Sequence, residues 1–143
     1  MIAPISKNPA FVAEADSFSS SYLAATGRVL LAAIFLWSGL GKILDPASAL
    51  GYIGSVGLPL PELGLGIAIF VEIVGGVALV LGYRTKLVAA LLAMFSIATA
   101  LVFHSALGDQ NQFIHFFKNI AMAGGLLQVA AFGGGAIALD NRR

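Results

Sequence analysis

The chain has no cysteine, and only 10% of its 143 residues are charged, against about 25% in a soluble domain. The first absence excludes structural disulfides, thiolate metal sites and any thiol relay of the protein's own. The second leaves too little polar sequence to clothe a soluble surface. Net charge is +1, with no basic cluster interleaved with aromatics, which argues against nucleic acid as a partner. No glycine loop of the phosphate-binding kind occurs; the glycines lie inside apolar segments, where they permit close helix packing. The first twenty residues lack the compact apolar stretch of a cleavable leader and hold Lys7, Glu14, Asp16, two prolines and a serine cluster.

Apolar sequence takes the place of what is missing. Hydrophobic residues make up 59% of the chain and mean hydropathy is +0.94. Four runs stand out, at residues 22–44, 63–83, 87–103 and 117–139. Each is long enough to cross a bilayer as a helix, the third at the short limit. The expected fold is an all-α membrane protein: a four-transmembrane-helix bundle over residues 22–143, after a short N-terminal tail at 1–21. Lys7, Arg84, Lys86, Arg142 and Arg143 fall on one side, and only Lys42 and Lys118, at helix ends, fall on the other. By the positive-inside bias both termini are expected in the cytoplasm. The first outer loop, residues 45–62, is rich in proline and glycine, and the second covers residues 104–116.

Glu72 is the least expected residue. It lies at the centre of the 19-residue stretch 63–81, which has no other charge. Twelve Leu, Ile, Val and Phe residues there favour insertion by on the order of 4 to 7 kcal/mol, of which a central acid returns about 2.5 to 3.5. The span still inserts, but its carboxylate calls for a partner or a function. Depth suggests candidates. At about 1.5 Å per residue, Glu72 and Gln128 both lie about 16 Å above the inner surface, and Arg28 starts roughly 9 Å up. The side chain of Arg28 can climb further, so Arg28 is the first expected partner of Glu72 and Gln128 the second.

Polar groups line up on helix faces. In the first span Arg28, Ala32, Phe35, Gly39 and Lys42 share a face, with Ser38 beside it. Leu65, Ala68, Glu72, Gly75, Gly76 and Leu79 form the second stripe; Ser96, Thr99 and Phe103 the third; Lys118, Ala121, Gly125 and Gln128 the fourth. The bland reading competes at each position. A buried ion pair can simply fix helix register, an amide can bond across helices, and hydroxyls can bond back to their own helix. A second cluster is expected at the outer face, where Lys42, His104, Lys118 and Asn119 surround a cavity bounded below by Glu72. Two ammonium groups there repel unless something anionic lies between them, whether Asp109 or a ligand. Snorkelling of both lysines to the headgroups is the alternative. His104 and His115 are eleven residues apart without local ligand spacing, so no metal is expected.

These residues resemble the DoxX family of small bacterial inner-membrane proteins. The matching segments are GR at 27–28, FLWSGLGKI at 35–43, GLP at 57–59, VEIVGG at 71–76, YRT at 83–85 and FFKNIAMAGGLL at 116–127. The resemblance runs from about Thr26 to the C-terminus. It implies a four-helix protein of the bacterial inner membrane and points towards quinone or redox chemistry, since relatives resemble a subunit of a thiosulfate:quinone oxidoreductase and others are associated with oxidative-stress complexes. Without cysteine, a thiol step would come from a soluble or membrane redox partner or from the substrate. Two expectations stand side by side. In one, the bundle binds a quinone-like or other amphiphilic molecule through Lys42, Glu72, His104, Lys118, Asn119 and Gln128, with Glu72 and Arg28 as catalytic candidates. In the other it is a non-catalytic membrane anchor or assembly subunit. Small-molecule transport is a weaker third, since four helices make a narrow pathway unless the protein forms a homo-oligomer.

Overall fold

The computed structural model of the chain describes the backbone of residues 9–142 and the side chains of residues 20–142. Five α-helices follow one another: α1 (Pro9–Leu44), α2 (Pro46–Ser55), α3 (Pro61–Leu81), α4 (Thr85–Phe103) and α5 (Gln110–Phe132). A short 3-10 turn, Leu139–Arg142, closes the described chain. Four helices are long and apolar enough to cross a membrane: α3, α4, α5 and the part of α1 from Ser20 to Leu44. Of the tail expected at residues 1–21, residues 1–8 lie outside the described part; from Pro9 onward it is helical and continuous with α1.

Two boundaries differ from the sequence reading. The first outer loop contains α2, whose start is written locally: Asp45 accepts a hydrogen bond from the Ser48 backbone N–H at 3.1 Å, and Pro46 occupies the first helical turn. The density of proline and glycine concealed it. The last span is displaced towards the N-terminus, from the expected 117–139 to Gln110–Phe132. Asp109 caps it by accepting from the Gln112 N–H at 2.9 Å, and three consecutive glycines at 133–135 stop it. The apolar composition after them belongs to an irregular segment folded back over the end of the bundle.

α1 packs chiefly on α3 and α4 chiefly on α5; the tight turn at residues 82–84 joins the two pairs. Small residues set the closest approach. A Cβ at Gly39 would lie 2.8 Å from the Ile73 side chain, and one at Gly76 would lie 2.7 Å from Leu36, so neither position of the α1–α3 seam accepts even alanine without a shift. The buried set is Ala32, Phe35, Leu79, Ala89, Leu92, Ala93, Ala123 and Leu126, largely alanine and leucine. The bulkiest apolar side chains point outward instead: Trp37 is 77% exposed and Phe132 82%. An apolar exterior around a core of small residues is the inverse of a soluble domain, and suits lipid.

Burial faces of α1 and α3 follow the expected stripes. The face of α5 is rotated by about one residue: Asn119, Ala123 and Leu126 are buried, while Lys118, Ala121 and Gln128 are exposed.

Candidate functional site

Glu72 is buried, with 5% exposure, and its partner is Lys42. The Lys42 Nζ lies 2.9 Å from both carboxylate oxygens and 2.8 Å from the Ser38 Oγ. Ser38 in turn donates to the Glu72 Oε1 at 3.1 Å. Packing explains the choice. Gly39 lies against Glu72, so Ser38 is level with the acid and Lys42 is one turn above it. Its side chain bends down along α1, opposite to the snorkelling direction.

The expected Arg28–Glu72 pair does not form. Arg28 is level with the end of α3, where its Nη1 donates to the Leu79 carbonyl at 2.8 Å and the Val80 carbonyl at 3.1 Å. Its Nη2 donates to the Ile137 carbonyl at 2.9 Å. Leu79 is seven residues from Glu72, about 10 Å along the helix. The final turn of α3 leaves carbonyls without partners in their own helix, at its negative dipole end, and a guanidinium fits there without climbing. Gln128, the second expected partner, is exposed and lies outside the site. Because α5 ends at Phe132, Gln128 is only four residues, about 6 Å, from the helix end. Asp109 caps α5 and takes no part in neutralising Lys42.

A cavity of about 390 Å³ borders the Lys42–Glu72 pair. Lys42, Glu72, His104, Lys118 and Asn119 all line it, with His115 and Ser38; Arg28 does not. The imidazoles of His104 and His115 stack with centroids 5.0 Å apart. Lys118 Nζ lies 2.9 Å from the His115 Nδ1, and the His104 Nδ1 lies 2.8 Å from the Gln112 Oε1. A lysine ammonium only donates, so His115 accepts at Nδ1 and carries its proton on Nε2. His104 donates from Nδ1 to the amide oxygen and keeps Nε2 as an acceptor. Ser96 and Thr99 bond back to the Leu92 and Ser96 carbonyls of their own helix and add little polarity. The remaining wall is apolar, from Ile34, Phe35, Ala68, Phe95 and Met122.

Tyr52 and Gln112 are site features that the sequence reading missed. Tyr52 comes from α2, stacks on Phe103 at 5.6 Å and donates to the Phe103 carbonyl at 3.1 Å, closing α2 over the cavity end. The Asp45–Pro46 start was the available signal for that helix. Gln112 faces His104 only because α5 begins seven residues earlier than its apolar run.

The DoxX family pattern matches residues 23–105, from α1 through α4. The chain belongs to the DoxX family. Relatives of this DoxX chain include Inner membrane protein YphA of Escherichia coli K12, 33% identical over 120 residues, with 80% of this chain and 86% of YphA covered. Inner membrane protein YqjF of the same organism is 34% identical over 113 residues, covering 79% of this chain and 85% of YqjF. A Haemophilus influenzae protein is 34% identical over 128 residues, covering 85% and 90%. No solved structure matches significantly. With inner-membrane relatives and four helices able to span, the DoxX chain is a multi-pass inner-membrane protein whose outer surface meets lipid. The family match contains Arg28, Lys42, Glu72 and His104 and ends before Lys118 and Asn119.

Proposed function

We propose that this DoxX protein binds an amphiphilic small molecule, quinone-like in joining an apolar body to a head with hydrogen-bond-accepting oxygens. The cavity carries the reading. Its volume falls within the range of small-molecule sites, its walls are mainly apolar, and charged or polar side chains from α1, α3 and α5 line it. Arg28 leaves the set of catalytic candidates, since its guanidinium is spent on backbone carbonyls away from the cavity. Glu72 stays as the group able to exchange a proton with Lys42 and Ser38 beside a ligand.

The test is saturable binding of a short-tailed ubiquinone to the full-length protein in lipid nanodiscs. Ala68→Phe fills the cavity from α3 and is expected to abolish it. Absence of saturable quinone binding overturns the quinone-like head, and quinone binding unchanged by Ala68→Phe overturns the cavity as its site.

Both termini are assigned to the cytoplasm in the same reading. Lys42 and Lys118 line the cavity instead of flanking the bundle, which leaves the positive-inside bias to the end with Arg84, Lys86 and Arg142. Reporter fusions after Arg143 and after Gly57 are expected to report opposite sides; the same side for both would refute the assignment.

A further inference from the structure

We infer that the head of the bound molecule carries one negative charge, which makes the ligand an anionic single-chain amphiphile of the carboxylate or phosphate class. The inference rests on the amphiphile reading and names the charge that reading leaves open.

Three side chains with a formal charge line the cavity: Lys42, Glu72 and Lys118. The first two cancel. All three N–H groups of Lys42 are engaged, two by the Glu72 carboxylate and one by Ser38, so this lysine has no donor left for a ligand. Lys118 differs. Its one hydrogen bond among the described residues goes to His115, and no acid there lies within ion-pairing distance. Two donors and a full positive charge remain. Lys118 is eight residues into α5, about 12 Å along its axis, and is exposed as well as lining the cavity.

Asn119 supplies an independent observation. It lines the same cavity at 9% exposure, and its side-chain amide has no hydrogen-bond partner among the described residues. Its amide atoms keep access to the cavity, where a ligand atom can bond to them. Reach towards the headgroups accounts for a lysine at this position but not for an idle amide next to it. His115 adds an Nε2–H, because its Nδ1 is occupied. The open groups are thus mostly donors around one uncompensated cation, the complement of an oxygen-rich monoanion. The tail lies along Ile34, Phe35 and Met122, on the side where α1 and α5 approach; below it that seam is shut by Leu31 against Gly125.

The experiment measures equilibrium binding of radiolabelled laurate to the full-length protein in phosphatidylcholine nanodiscs, with empty nanodiscs subtracted. Dodecanol, dodecyl methyl phosphate (a singly charged diester) and the short-tailed ubiquinone serve as competitors. Laurate is expected to bind about tenfold or more tightly than dodecanol, the margin of a charge-assisted hydrogen bond. Lys118→Met is expected to erase that margin and leave dodecanol unchanged, and Lys118→Arg to keep it. Competition by dodecyl methyl phosphate as strong as by laurate supports a general monoanion site; weaker competition supports a carboxylate site. Laurate and dodecanol binding equally in both the native protein and Lys118→Met, or the quinone alone binding, overturns the anionic head while the amphiphile cavity stands. No saturable binding of any of the four removes both.

Discussion

Arg28 and Lys42 are two cations on one face of α1, fourteen residues and about 21 Å apart, and both are drawn into the bundle. Arg28 is 1% exposed and its partners are main-chain carbonyls at the end of α3 and in the C-terminal segment. None of them titrates. Gly82 shows how closely this end is packed: its backbone is left-handed, with φ 70°, and a Cβ there would lie 2.6 Å from the Arg28 Nη1. Asp140 ties the same end by accepting from the backbone N–H groups of Arg84 and Thr85, each at 2.7 Å. Lys42 instead meets a side-chain carboxylate and a hydroxyl at the edge of a cavity, and remains 24% exposed. A cation solvated by backbone fastens elements together. One paired with a titratable group beside open space can respond to what enters that space.

Arg28→Met breaks the comparison most severely if the first half of it is right. It strips the Val80 and Ile137 carbonyls of the Arg28 donor, each worth about 1 to 3 kcal/mol when left unsatisfied in a dry site, and leaves the Leu79 carbonyl only the Gly82 N–H at 3.3 Å. The expected result is loss of folded protein, read as monodisperse yield in detergent and as the thermal unfolding midpoint. Normal yield would show that Arg28 does not hold the helix ends.

Lys42→Met ranks next. It leaves the Glu72 carboxylate buried without its cation, at an expected cost of about 2 kcal/mol, below the range for a fully buried pair because Lys42 is partly exposed. Replacing both, as Lys42→Met with Glu72→Leu, is expected to recover stability to within about 1 kcal/mol of the native protein. Thermal unfolding of the four proteins of the cycle measures the coupling. Strict additivity would mean that the pair contributes nothing as a pair.

Glu72→Gln sharpens the second half. The amide keeps the shape, removes the charge and frees Lys42, so laurate binding is expected to tighten by roughly threefold to tenfold while the protein stays folded. Weaker laurate binding would show that Glu72 assists the anion, contrary to the charge balance.

The smallest effect belongs to Asp45, at the outer edge of the cavity end. The Ser48 hydroxyl and backbone N–H hold its carboxyl below the ordinary value. A depressed folded value means the cap stabilises α2 above the unfolded carboxyl value near 4, and is lost as pH falls through the folded one. Asp45→Ala is expected to raise amide hydrogen exchange in α2 with little change in global unfolding, and to remove the acid dependence of that exchange.

Hydropathy alone determined the number of spans and the position of the first three, and helical periodicity alone determined the buried faces of α1 and α3, because each is a property of residues a few positions apart. The charge on Glu72, and the need for a partner, were equally legible. Which cation answers it was not. Arg28 and Lys42 are both on the right face, and the choice depends on the axial offset between α1 and α3, set by Gly39 against Ile73 and Gly76 against Leu36 across the interface. Gln128 was misplaced for a similar reason, since the stop at residues 133–135 shifts α5 by most of two turns and no apolar count registers it. Tertiary structure also decided that, among the described residues, Lys42 meets an acid and Lys118 does not, because α1 brings Lys42 against Glu72 while Lys118 bonds to His115 on its own helix.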